Sequence, residues 1–386
     1  MPAPPAPFPS LPIPLLDLHP QNDPLRAEIL AAVTRVIDSQ QFILGPDVPA
    51  LEKELASLFS LRHVITCSSG SDALVLALLA AGIGPGDQVA VPAFTFFATA
   101  GAVSLLGAEP VFCDIVSDTF TLDVAHLETL APRHPRLKAV IPVHLFGGTA
   151  DMDAVNALAA RHGWTVIEDS AQSIGATCRD RSCLGLGHMS TLSFFPTKNL
   201  GAMGDAGAVT TSDDALAERL FALRVHGSAQ RYRHNWIGIN GRMDSLQAAI
   251  LRVKLPHLAS WAARRQANAD LYRALLQDAQ LPLTPPVRRE FQTNHVWNQF
   301  VIRATRRDAL RQHLATLGIG SEIYYPAPLH LQACYAQLGY QQGALPVCER
   351  ACGEVLALPV HPGLSEADIA TVVSGLRSFY EASPQS

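Results

Sequence analysis

The chain has 386 residues and a formal net charge of −5, with 48% hydrophobic and only 16% charged residues. That length exceeds one ordinary hydrophobic core and implies two domains, and the charged fraction is well below the roughly 25% of soluble domains. So little charge requires extensive burial, in a large core or against another copy. Disorder is excluded by the hydrophobic content, and nucleic-acid binding as the main role by a pI near 6.3. No apolar run reaches the roughly 20 residues of a membrane span.

The first residues, MPAPPAPFPSLP, are proline-rich and lack a basic leader. They read as a flexible arm over residues 1–12, not as a secretory signal, and the protein is expected to stay in the cytoplasm. Seven cysteines suit a reducing compartment. Cys67 and Cys113 lie in apolar runs, while Cys348 and Cys352 share a helical face without the second ligand pair that zinc requires.

From about Val64 to Thr211, short β-branched runs alternate with helical stretches. The runs centre on Val64, Val89, Val111, Val140 and Val166, and the helical patterns cover 72–81, 95–106 and 152–162. This repetition predicts an α/β unit with a mostly parallel sheet, whose strand ends gather ligands. After Asn240 the pattern changes. Leu246, Ile250 and Val253 mark an amphipathic helix that Pro256 breaks or kinks, and helical pattern resumes over 258–276. A strand over 296–302 and helices over 307–317 and 366–380 complete a smaller C-terminal α+β unit.

Three segments carry chemistry. Ser68-Ser69-Gly70-Ser71-Asp72 opens an apolar helix, where free N–H groups and the helix dipole suit a phosphate; ordinary N-capping accounts for the same residues. Val166-Ile167-Glu168-Asp169-Ser170-Ala171-Gln172 delivers two carboxylates to a strand end, to face a ring nitrogen, a metal or a solvated loop. Ser193-Phe194-Phe195-Pro196-Thr197-Lys198 places a lysine after an apolar strand and a proline turn, among small residues. A desolvated lysine is what Schiff-base chemistry uses, because the neutral amine is the nucleophile. The surrounding glycines form neither a Walker loop nor, at Gly185-Leu186-Gly187, a dinucleotide fingerprint.

A phosphate cradle, a strand-end acid and a buried lysine in this order make a pyridoxal phosphate constellation. The sequence here resembles the DegT/DnrJ/StrS-type sugar aminotransferases over nearly its whole length. The matching segments include QFILGPDV (41–48), GSDAL (70–74), PAFTFFATA (92–100), EDSAQ (168–172), SFFPTKNLGAMGDAG (193–207), GINGRMDSLQAAIL (238–251) and YYPAPLHLQ (324–332). The resemblance implies the fold type I of aspartate aminotransferase. A large domain over 13–255 would carry a mostly parallel seven-stranded sheet covered by helices, and a smaller α+β domain would span 256–386.

It also implies roles. Lys198 would hold pyridoxal 5'-phosphate as an internal aldimine and move protons. Asp169 would pair with the ring nitrogen, Phe96 stack on the ring and Gln172 contact its hydroxyl side. Gly70, Ser71 and Ser193 would hold the phosphate, with Asn240 reaching it from the neighbouring subunit of a homodimer. L-glutamate would convert the cofactor to its pyridoxamine form, and the amine would pass to a keto group of a nucleotide-linked sugar. The basic, aromatic stretch from Arg224 to His234, with Arg231 and Tyr232, suits a diphosphate or is a solvated loop. Arg242, Tyr324, Tyr325 and His330 are further substrate-side candidates. The segment from Gly238 onward is more similar to enzymes acting at a 3-keto than a 4-keto position, although some diamino-sugar relatives carry histidine where Tyr324 stands. A sugar 3-dehydratase would have histidine in place of Lys198, and a regulatory protein on the same fold would have lost part of the constellation. Lys198→Ala should abolish the visible absorption of the cofactor-loaded protein while circular dichroism stays unchanged; a persisting band refutes the lysine's role.

Overall fold

The computed structural model describes residues 12–230 and 232–382, so the arm up to residue 11 and Arg231 lie outside the described residues. The β-branched runs become the strands β1 (His63–Cys67), β2 (Gln88–Pro92), β3 (Glu109–Cys113), β4 (Leu137–Val140) and β5 (Thr165–Asp169). With β6 (Met189–Ser193) and β7 (Gly207–Thr211) they form one sheet in the order β1-β7-β6-β5-β4-β2-β3. The central pairs are parallel; β7 alone runs antiparallel to both its neighbours, β1 and β6.

The inner strands are buried along nearly their full length, as a sheet covered on both faces requires. Helix α1 (Gly70–Ala80) is apolar almost all round, and its side chains pack in one cluster with Ile65, Ile167 and Val209 of the sheet. Helix α3 (Met152–His162) covers the other face with Val155 and Leu158 against Val140 and Val166. Between them in sequence, α2 (Ala98–Leu105) begins later than the pattern predicts, because residues 95–97 form the loop that reaches the strand ends.

The C-terminal half builds a second core. Helix α4 (Ser245–Lys254) passes through one 3₁₀ turn at Leu255–His257, so Pro256 interrupts rather than ends the helical run, and α5 (Leu258–Ala279) follows at once. Strands β8 (Leu283–Thr284), β9 (Phe300–Ala304) and β10 (Val355–Leu358) make an antiparallel sheet. It packs against α5, α6 (Arg307–Thr316) and the terminal helix α8 (Glu366–Ala382), with Tyr272 stacked on Phe300 at 4.8 Å. Ile13 belongs to this cluster, pairing with Ile319, although the sequence places it with the large unit.

The expected strand at 296–302 starts four residues late. Val296 and Gln299 donate their N–H groups to the carbonyls of Gly147 and Phe146, and Trp297 has φ 47°, so this stretch is held by the large unit before β9 begins. A second tie between the halves runs through Asp114, just past β3. Its buried carboxylate accepts the N–H groups of Val347 (3.0 Å) and Cys348 (2.8 Å), which open α7 (Pro346–Glu354). The Tyr340 hydroxyl accepts the Phe112 N–H (3.1 Å) on the outer edge of β3. Among the described residues no helix is long and apolar enough to cross a membrane. Asp114→Ala should lower unfolding stability in urea by about 1–3 kcal/mol, because it leaves buried N–H donors without an acceptor, and Asp114→Asn should cost less.

Candidate active site

Parallel strands that end together deliver their following loops to one place. On β5, Glu168 and Asp169 are adjacent and must face opposite sides of the sheet. Glu168 is fully buried and accepts the N–H groups of Leu186 and Gly187. His144 completes its set: Nδ1 accepts the Ala150 N–H, which leaves the proton on Nε2 to be donated to Glu168 at 2.9 Å. Glu168 is therefore a structural anchor.

Asp169 points the other way and is 5% exposed. Its Oδ2 accepts from the Thr99 hydroxyl at 2.8 Å and its Oδ1 from the Ala171 N–H at 3.2 Å. Among the described residues it has no ion pair. The solvated-loop alternative for Asp169 thus fails, since water scarcely reaches it. Gln172 is pinned nearby, with Oε1 accepting the Phe146 N–H (2.7 Å) and Nε2 donating to the Tyr325 hydroxyl (3.2 Å).

Lys198 sits in the turn after β6, whose geometry is tight. A Cβ on Gly201 would lie 2.2 Å from the Pro196 carbonyl oxygen, so only glycine lets the chain fold back there. The Lys198 amine makes no hydrogen bond or ion pair among the described residues, while its backbone N–H donates to the Phe195 carbonyl at 2.9 Å. Burial pushes its amine down from 10.5 to about 8, against the opposing pull of the Asp169 charge.

The start of α1 closes a third side. Ser69, not Ser71, is its cap, with the side chain accepting the Asp72 N–H at 3.0 Å; Ser71 is exposed on the first turn. A Cβ on Gly70 would lie 2.6 Å from the Ser193 Cβ, so this helix end abuts β6 immediately before the lysine turn. Capping and an anion site are compatible here, because the cap occupies one donor and leaves others at the terminus. Phe96, from the loop before α2, is 59% exposed and lies 6.5 Å from the Tyr325 ring. Asn240 is exposed and makes no side-chain hydrogen bond among the described residues, and the next residue, Gly241, accepts the Ser68 N–H.

The substrate-side candidates divide. Tyr324 and Tyr325 are half-buried, with rings 6.0 Å apart, beside Gln172 and Phe96. Arg242 is half-buried with its Nε unpartnered. Tyr232 is exposed on a hairpin of which Arg231 lies outside the described residues. His330 is corrected: it is 1% exposed, bonded through Nε2 to Glu349 and packed beside Phe112 and Tyr340, so it is a core histidine and lines no accessible site. Arg224 likewise leaves the basic loop, being buried in an ion pair with Glu52. Sequence reasoning missed Thr99 and the His144–Glu168 pair, although the alternation along β5 already implies that only one of the two carboxylates faces the ligand.

A mostly parallel seven-stranded sheet with one antiparallel interior strand and a smaller C-terminal α+β unit is the fold of pyridoxal phosphate-dependent aminotransferases. Residues 23–377 match the model of the DegT/DnrJ/EryC1/StrS aminotransferase family, and the chain belongs to that family. It is 47% identical over 369 residues to the "Pleiotropic regulatory protein" of Geobacillus stearothermophilus, covering 95% of this chain and 98% of that one. It is 45% identical over 367 residues to the UDP-N-acetyl-3-dehydro-alpha-D-glucosamine 3-aminotransferase of Acidithiobacillus ferrooxidans, covering 95% and 97%. Among solved structures, DesV of S. venezuelae in complex with a ketimine intermediate is similar at TM-score 0.92 and 44% identity, covering 96% of this chain and 98% of that one. NtdA of Bacillus subtilis with bound cofactor PMP is similar at TM-score 0.88 and 33% identity, covering 96% and 85%.

With its amine lowered to about 8, Lys198 is mostly protonated below that pH and mostly neutral above it. The rate at which cofactor-free protein takes up pyridoxal phosphate, followed by rapid-mixing absorbance, should therefore rise with pH and level off above about 8. A rise that continues toward 10.5, the ordinary lysine value, would contradict the desolvated amine.

Proposed function

We propose that this chain is a pyridoxal phosphate-dependent aminotransferase that moves an amino group from L-glutamate to a 3-keto group of a nucleotide-linked sugar. The observation that carries the reading is a buried carboxylate, Asp169, facing a lysine amine, Lys198, each without an ion pair among the described residues. A protonated ring nitrogen satisfies the first and an aldehyde the second, so the residues present fit the cofactor. When bound, pyridoxal phosphate supplies a ring that accepts the electron pair left when a substrate carbon loses its proton.

The chain's own groups do the rest. Asp169 holds the proton on the ring nitrogen, and its own orientation is fixed by two hydrogen bonds. Lys198 Nζ would hold the cofactor through its aldehyde, and as a desolvated amine it would serve as general base and acid for the proton that moves during transfer. Phe96 covers a ring face, Gln172 meets the ring's hydroxyl side, and Gly70, Ser71 and Ser193 present donors to the phosphate at the start of α1. Tyr324, Tyr325 and Arg242 face the sugar, with Tyr232 toward its diphosphate.

The assembly is a homodimer in which the Asn240 amide completes the phosphate site of the second copy. Support comes from a run of exposed apolar residues, Phe42, Ile43 and Leu44, bridged through Ile43 to Asp244 just before α4, whose Gln247 also accepts the N–H of exposed Met203. The cofactor-holding domain spans 13–255 apart from Ile13, which packs in the core of the smaller domain over 256–386, and the cytoplasm, where glutamate and nucleotide sugars occur, is the compartment. The 3-keto position is favoured by the name of the Acidithiobacillus relative. The regulatory description of the Geobacillus relative favours a silent protein on the same fold; retention of Lys198, Asp169, Gln172 and Asn240 supports catalysis instead.

The purified protein should be yellow with pyridoxal phosphate and bleach on addition of L-glutamate. The glutamate-reduced form should regain its colour with UDP- or dTDP-linked 3-keto sugars faster than with 4-keto sugars. A spectrum indifferent to glutamate refutes the amino donor, and preference for the 4-keto panel refutes the position.

A further inference from the structure

The loop before α2 and the first turn of that helix together hold a hydroxyl pair. Thr99 is fully buried and Thr95 nearly so, with their Oγ1 atoms 3.2 Å apart and Thr99 Oγ1 2.8 Å from Asp169 Oδ2. A hydroxyl has one proton to give. If Thr99 donates it to the carboxylate, the Thr95–Thr99 bond requires Thr95 as its donor, and the two hydroxyls form a directed chain ending on Asp169. The carboxylate's only other donor among the described residues is the Ala171 N–H. The titratable groups facing Asp169 are Lys198, from the turn after β6, and Tyr325. Glu168 lies on the other face of β5, engaged with His144.

We propose that Thr99, supported by Thr95, is a positioning residue that fixes the plane and electron density of the Asp169 carboxylate and thereby sets how firmly a bound pyridine nitrogen keeps its proton. This rests on the reading of the chain as a pyridoxal phosphate enzyme. The same loop supplies Phe96 three residues earlier, so one segment, Phe94 to Thr99, presents an aromatic face and orients the acid that meets the ring edge. Hydrogen bonds to charged groups in a dry site are stronger than neutral ones, and partners of this kind orient the group that touches the ligand. Removing the Thr99 donor leaves Asp169 with one hydrogen bond and freedom to rotate, so the ring nitrogen loses protonation and electron demand.

The test compares wild type, Thr99→Val, Thr99→Ser and Thr95→Val, each loaded with pyridoxal phosphate and titrated by absorbance from pH 5 to 10. Thr99→Val keeps the shape and deletes the hydroxyl. Its spectral midpoint should move upward by about one pH unit, and kcat for glutamate should fall about tenfold while KM changes little. Thr99→Ser should restore both. Thr95→Val should shift the midpoint the same way by less, which keeps the proposal testable if Val at 99 does not fold. Wild-type midpoints in both Val variants, or a Ser variant as impaired as Val, overturn it. A wild-type protein that develops no visible band overturns the cofactor reading itself, a result distinct from unchanged midpoints in a yellow protein.

Discussion

A carboxylate withdrawn from water and engaged in no ion pair among the described residues governs this molecule. Removing such a charge from solvent costs several kcal/mol unless its surroundings compensate, and among the described residues the Asp169 carboxylate receives two hydrogen bonds. The loops around it accordingly bring what compensation they can: a hydroxyl from the start of α2, an N–H from the turn after β5 and, across the site, a lysine whose amine is itself poorly solvated. The two groups have opposite needs. Burial disfavours the charged lysine while the acid favours it, and burial prevails, lowering the amine to about 8. A ligand with a basic ring nitrogen and an aldehyde answers both needs at once, which is why this pair, more than any motif, ties the fold to its chemistry.

Much of this was legible in the chain. Alternation of β-branched runs with helical patterns located the first five strands, because a parallel sheet buried on both faces writes its strands as continuous apolar segments. The places of Lys198, Asp169 and Gly70 at strand and helix ends were readable because backbone geometry confines the choice of residue there. What escaped reading depends on partners distant in sequence. His330 reads as a site residue in a motif of aromatics and prolines, yet its surroundings are set by Phe112, Tyr340 and Glu349. Arg224 reads as part of a basic loop until Glu52 is brought against it. Val296 and Trp297 have the composition of a strand, but the N–H groups of Val296 and Gln299 donate to the carbonyls of Gly147 and Phe146 and hold this stretch out of one. Local pattern cannot report such competition.

The two ties on β3 also bear on how the chain comes into being. Phe112 on the sheet's outer edge is covered by Tyr340, 228 positions later, and Asp114 finds its donor at Cys348, 234 positions later. At the roughly 5–20 residues per second of synthesis, that edge stays uncovered for about 10–45 seconds after it emerges. For that interval the nascent sheet presents open backbone donors and acceptors to any passing strand. The large unit therefore reaches its finished form only when the last quarter of the chain has left the ribosome, and a message truncated before that point would leave a sticky remnant instead of a smaller enzyme.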